Sequence, residues 1–209
     1  MKILKDADNK AIGFIEYVPA AHAWRPIHAP GFMFIHCMYI YGNQYKNQGY
    51  GSQLLKHCEA EAKAKKMAGV CAMTSKGTWI IDGRLFEKNG YAPVDQRDRF
   101  DLYSKKWDVS AVDPKLLDWT AQQKKYQGWQ LLYANQCPWH EKSVNAIKAT
   151  AEAYGIDIKV KKINSAKEAR KAPSGFGVFS LLKDGKLLED HYISATRFKN
   201  ILEKELHAS

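Results

Sequence analysis

The stretch YIYGNQYKNQGYGSQLL (residues 39–55) runs from an apolar-aromatic segment through two glycines, Gly49 and Gly51, into a helical pattern. Just upstream, GFMFIHCMYIYG is almost unbroken in apolar character, as a strand buried on both faces of a sheet is. Downstream, Leu54, Leu55, Cys58, Ala62 and Met67 recur at helical spacing, with Lys and Glu on the other face. The glycines therefore stand where a strand gives way to a helix. A helix start offers unpaired N–H groups and about half a positive charge to an anion. Glycine there lets a phosphate approach the backbone without a Cβ in the way. Lys46 would add a charge, and the Asn47 and Gln48 amides further donors. A lone G-x-G is more often a tight turn than a ligand cradle, so the pair does not decide the chemistry. No Gly-Lys-Ser/Thr follows, which disfavours a nucleotide-hydrolysing P-loop, and Gln53 and Leu54 stand where a dinucleotide fingerprint needs its third glycine.

Working outward, residues 1–107 read as strands, a helix, then strands. MKILKD and AIGFIEYVP flank the turn-forming ADNK as a hairpin. GVCAMTS is a short strand, GRLFEKNGY a short helix stopped at Gly90, and RFDLYSKKW an alternating last strand. Residues 108–128, with Pro114, mixed charge and no sustained period, read as a partly helical linker. Residues 129–209 restart a βαβ pattern. WQLLYAN precedes a helix ending at Gly155, IDIKVKKI a second helix at SAKEARKA, and GVFSLLKDGKLLEDHYI turns at Asp184-Gly185. A last helix is capped by Ser194. No internal repeat links the halves.

The chain has 209 residues, 45% hydrophobic, enough for two small cores. The net charge of +10 would attract nucleic acid, an anionic membrane or a polyanionic small molecule without choosing among them, though its spread along the chain disfavours nucleic acid. Cys37, Cys58, Cys71 and Cys137 lack metal-site spacing, so no metal is expected. No run approaches the ~18 apolar residues of a membrane span. Scattered thiols and a polar start imply no membrane role and a cytoplasmic location.

Residues 39–55 resemble the acyl-CoA signature of the GNAT acetyltransferase superfamily, in which Arg/Gln-x-x-Gly-x-Gly/Ala joins a strand to a helix. Lys46 occupies the Arg/Gln position. LFEKNGYAPVD (residues 85–95) resembles the second family hallmark, a short helix and turn. Residues 13–40 resemble a narrower group, the YoaP-type acetyltransferases, whose catalytic domain is followed by a second one. The resemblance implies an α/β (α+β) fold with a GNAT-type mixed central sheet and flanking helices. It also implies acetyl-CoA as co-substrate and transfer of acetyl to a primary amine by direct attack on the thioester. By the same resemblance the backbone of Tyr39, Ile40 and Tyr41 should hold pantetheine like an added strand. Lys46, Asn47, Gln48, Gly49, Tyr50, Gly51 and Ser52 should hold the pyrophosphate, and the Tyr41 N–H should stabilise the oxyanion.

Some family features differ. Phe86 stands where a tyrosine usually protonates the departing thiolate, and Trp79 where an asparagine usually binds the cofactor. The family's first strand and two acceptor-framing helices have no counterpart before Met1, so the N-terminal elements are expected to be missing. The candidates for the general base are Glu16, a charge in an apolar strand, and His36, a histidine in a buried-looking one. Glu16 reads alternatively as solvated or paired with Arg25, and His36 as a satisfied core histidine. Cys37 shares strand parity with Tyr39 and Tyr41 and could line the cleft, though core packing suits a cysteine better.

In the second half, Cys137-Pro138 between a strand and a helix resembles the active turn of a smaller thioredoxin-like α/β domain. His140 replaces the second cysteine, which excludes a dithiol cycle, and Gly177 falls near the usual cis-proline. A thiol at a helix start gains reactivity. Two alternatives to the transferase therefore stand: a monothiol redox or thiol-sensing protein using Cys137, and an inactive CoA-binding module. The expected acceptor is a small-molecule amine, which the sequence does not identify further.

Overall fold

The computed structural model describes residues 1–77 and 80–207, so Trp79 lies outside the described residues. The chain divides into two compact units, Met1–Ala23 with Ile27–Leu117, and Trp24–Pro26 with Asp118–Ser209. The stretch 108–128, expected as a connector, is thus shared between them.

In the first unit the strands are β1 (Lys2–Lys5), β2 (Ala11–Pro19), β3 (Ile27–His28) and β4 (Phe32–Ile40). Helix α1 (Tyr50–Ala64) and strand β5 (Gly69–Ser75) follow, then α2 (Arg84–Lys88), β6 (Ala92–Arg97), β7 (Phe100–Lys106) and β8 (Lys115–Leu116). Six of these strands form one sheet in the order β1-β2-β4-β5-β7-β6, and β3 pairs with β8 apart from it. Only β4 and β5 are parallel; every other neighbour is antiparallel. A parallel pair needs a crossover, and α1 supplies it. Its Leu54, Leu55, Cys58 and Ala62 pack on Ile15, Tyr17, Met33, Ile35, Val70 and Ala72, and Phe86 of α2 extends that core. Phe32, Phe34, Cys71 and Met73 are also buried, so β4 and β5 are covered on both faces where they pair. The strand β6 was not foreseen. Its Pro93 lies on the sheet edge, where a missing N–H costs no ladder bond.

In β4 the ladder changes character. β4 and β5 face each other from Phe32↔Gly69 to Ile35↔Ala72 and no further. β5 continues to Ser75 beside β7, and β4 continues to Ile40 beside β2. At the fork the β2–β4 register jumps from Tyr17↔Ile35 to Glu16↔Cys37, which makes His36 an inserted residue. A bulge bends and twists its strand. It also reverses which residues face α1: Met33 and Ile35 before it, Met38 and Ile40 after it.

The second unit comprises α3 (Thr120–Gln123), β9 (Trp129–Tyr133), α4 (Pro138–Ala153), β10 (Ile158–Lys162), α5 (Ala166–Ala169), β11 (Phe179–Lys183), β12 (Lys186–Glu189) and α6 (Ala195–His207). Its sheet runs β10-β9-β11-β12, with β10 parallel to β9 and the remaining pairs antiparallel. The β11–β12 turn sits at Asp184 and Gly185, both at positive φ, as a two-residue hairpin requires. Ser194 caps α6 by accepting a bond from the Arg197 N–H at 3.2 Å.

Candidate active site

Past the fork, the edge of β4 that faced β5 is unpaired among the described residues. The Tyr41 N–H donates to the Ile12 carbonyl at 2.8 Å, so it points toward β2 and away from this edge. Its expected role as oxyanion donor is therefore corrected. Because backbone direction alternates along a strand, Tyr39 also presents its N–H and C=O to β2. Met38 and Ile40 present theirs to the open edge. Of the three residues expected there, only Ile40 is placed for it, and Met38 was missed. The inserted His36 shifts the alternation, and a run apolar on both sides of it does not reveal such an insertion.

The loop to α1 turns through positive φ at Gly42 (72°), Asn47 (61°) and Gly49 (83°). Gly49 is the N-cap of α1 and no side chain caps the helix. The Gln53 N–H reaches the Gly49 carbonyl at 3.0 Å, so the Tyr50, Gly51 and Ser52 N–H groups precede the first helical bond. There is no acidic residue in the first turn, and Lys46 is exposed nearby in the chain. A Cβ on Gly49 would meet nothing within 4 Å, so the space beside the N-cap residue is open. Gly51 serves a different purpose, because a Cβ there would lie 3.1 Å from the Leu85 side chain of α2. The Asn89 side chain ties the same joint, donating to Ser52 Oγ at 3.0 Å and to the Leu85 carbonyl at 2.7 Å. The Gln48 side-chain amide donates one of its two N–H groups to the Gln44 carbonyl. The Tyr45 hydroxyl donates to Asp6 at 3.1 Å and anchors the loop to the β1–β2 turn.

Glu16 and His36 come together on the sheet face away from α1. His36 Nδ1 lies 3.8 Å from Glu16 Oε1; the His36 side chain is 4% exposed and that of Glu16 31%. The Glu16 carboxylate is part-exposed, as the solvated reading has it, and also approaches His36. Cys37 is exposed on the sheet, not a core residue. Phe86 is fully buried, edge-on to Tyr91 at 5.3 Å and stacked on Tyr103 at 6.2 Å. The Tyr103 hydroxyl donates to Glu87 at 2.6 Å, which with burial pushes its pKa up to about 12.

In the second unit Cys137 is the N-cap of α4 and half-buried, followed by Pro138 at the first turn. His140 is buried, with Nδ1 2.8 Å from the Ala134 carbonyl. Burial lowers its pKa, so the neutral ring donates from Nδ1. Gly177 (φ 74°) packs on the Trp24 carbonyl and Arg25 Cα, leaving no room for a side chain.

The acetyltransferase (GNAT) family model matches residues 3–79, which contain the fork and the capless helix start. The YoaP-like model matches residues 157–200. The chain is 32% identical over 198 residues to the uncharacterized N-acetyltransferase YoaP of Bacillus subtilis (strain 168), covering 93% of this chain and 78% of the relative. The chain belongs to the GNAT acetyltransferase family, YoaP type. Among solved structures it is similar to the PaiA N-acetyltransferase of Thermoplasma acidophilum bound to coenzyme A. That match is 20% identical, covers 49% of this chain and 57% of the other, and has a TM-score of 0.40. It is also similar to the GNAT-family N-acetyltransferase YhbS of Escherichia coli in complex with CoA, at 11% identity, 55% and 64% coverage and a TM-score of 0.39. No helix among the described residues is long and apolar enough to cross a membrane.

Proposed function

We propose that this GNAT protein is an acetyl-CoA-dependent N-acetyltransferase acting on a small primary amine by direct attack on the thioester. The observation that carries this reading is the fork between β4 and β5 leading into an uncapped helix N-terminus. The Tyr50, Gly51 and Ser52 N–H groups and Lys46 receive the pyrophosphate. Met38 and Ile40 hold the pantetheine amides along the open edge, and one of their N–H groups takes over the oxyanion role from Tyr41. Glu16 accepts one proton of the incoming ammonium, directly or through water, the second leaves the nitrogen to solvent as the tetrahedral intermediate collapses, and His36 lies 3.8 Å from the Glu16 carboxylate. Phe86 supplies no proton, so in this reading the CoA thiolate departs as an anion and is protonated from solvent. The second unit is read as thioredoxin-like from its βαβ–ββα strand order, with Cys137 and the neutral His140 shaping its turn. A screen of amines monitored by CoA release tests the activity. Release with at least one small amine, lost in Glu16→Gln, supports it; binding of acetyl-CoA without transfer to any amine would leave only a cofactor-binding module.

A further inference from the structure

The sheet face away from α1 carries an unusual grouping beside the open edge of β4. Phe14 stands opposite Tyr39 in the ladder, and the next rung pairs Glu16 with Cys37. The Tyr39 and Tyr41 side chains are 53% and 42% exposed. Their rings lie 5.7 Å apart at 63°, and the Tyr41 ring is 6.1 Å from that of Phe14. Two exposed rings, packed edge to face, thus form a corner backed by a third ring. Glu16, diagonal to Tyr39 across the strands, leaves its carboxylate within reach of solvent. Aromatic faces and a carboxylate both attract cations. They do so on a chain whose net charge of +10 repels cations in general, so the attraction must be local.

We propose that this corner receives the acceptor as an alkylammonium ion, with the charge held between Glu16 and the Tyr39 and Tyr41 faces and the hydrocarbon lying toward Phe14. The acceptor class is then a cationic amine without a carboxylate or phosphate beside the nitrogen, because Glu16 would repel a second anion. This inference rests on the transferase reading for its place beside the thioester, while its binding step is measurable without acetyl-CoA. The test is titration of the full chain with n-butylammonium, 1-butanol and β-alanine, followed by NMR shifts of Tyr39, Tyr41 and Glu16. Saturable shifts are expected with butylammonium, at least tenfold weaker with 1-butanol and β-alanine. Tyr39→Leu/Tyr41→Leu should weaken butylammonium at least tenfold. Tyr39→Phe/Tyr41→Phe, which keeps the ring faces, should stay within about threefold. Equal binding of butanol or β-alanine, full binding by the leucine variant, or no shift up to 100 mM would overturn the proposal. Acetyl-CoA is titrated separately: loss of that binding alone defeats the transferase reading, and loss of ammonium binding alone defeats the corner.

Discussion

Ile35 and Ala72 form the last rung between β4 and β5, and the next residue, His36, is the one inserted into the ladder with β2. The opening of the sheet and the change of facing along β4 therefore begin at one point. Beyond it the backbone of Met38 and Ile40 is available to a ligand, and the side chains of Tyr39 and Tyr41 are exposed. The bulge joins fold to function, and the family's cofactor reading depends on it.

Gly51 fixes how closely α1 and α2 approach beside the loop that enters α1. Gly51→Leu should destabilise the first unit by about 1–3 kcal/mol, because the added side chain collides with Leu85. Leu85→Ala should offset part of that loss, giving a coupling of about 0.5–3 kcal/mol in a double-mutant cycle by urea unfolding. Strict additivity would show that the two positions do not touch.

Lys46 is exposed, so its contribution to phosphate binding should be electrostatic and screened. Lys46→Ala is expected to weaken acetyl-CoA about tenfold at low ionic strength, and much less near 1 M salt, where the Debye length falls to about 3 Å. Calorimetry at both salt concentrations checks this.

Restoring the family's tyrosine should not help. In Phe86→Tyr the new hydroxyl would enter a fully buried site between Tyr91 and Tyr103. Unless it finds a partner it should cost about 1–3 kcal/mol. Turnover should not rise, and the thermal midpoint should fall.

Much of this was legible in the sequence. The helix beginning at Tyr50, the cap at Ser194 and the turn at Asp184-Gly185 each depend on local chemistry of a few residues, and local chemistry is written in order along the chain. Less legible was anything that needs two segments at once. β6 carries Pro93 and three polar residues, and it is a strand only because β7 lies beside it. The direction of the Tyr41 N–H depends on an insertion at His36 relative to Glu16 and Tyr17, residues on another strand. The meeting of Glu16 with His36 has the same origin, and residue types alone could only nominate both.

His140 makes the stability of the second unit depend on pH. Its folded pKa lies below the ordinary 6.5 because burial disfavours the charged ring. Between that depressed value and 6.5 the unfolded chain binds the extra proton, so stability is full above about 6.5 and falls as pH falls through this window. His140→Leu should abolish this slope, at the cost of leaving the Ala134 carbonyl without its donor. A slope unchanged in the variant would assign the effect elsewhere.

The central claim is that bare amides at the start of α1 hold the cofactor's pyrophosphate, and calorimetric titration of acetyl-CoA into wild type and Gly49→Glu tests it most directly. Gly49 faces open space, so the glutamate meets no neighbour; it strains the left-handed turn (φ 83°), and its carboxylate repels a phosphate at the helix start. The account predicts saturable binding by wild type and none by a Gly49→Glu protein whose circular dichroism shows it folded. Equal binding by both, or no binding by folded wild type at millimolar ligand, would contradict it.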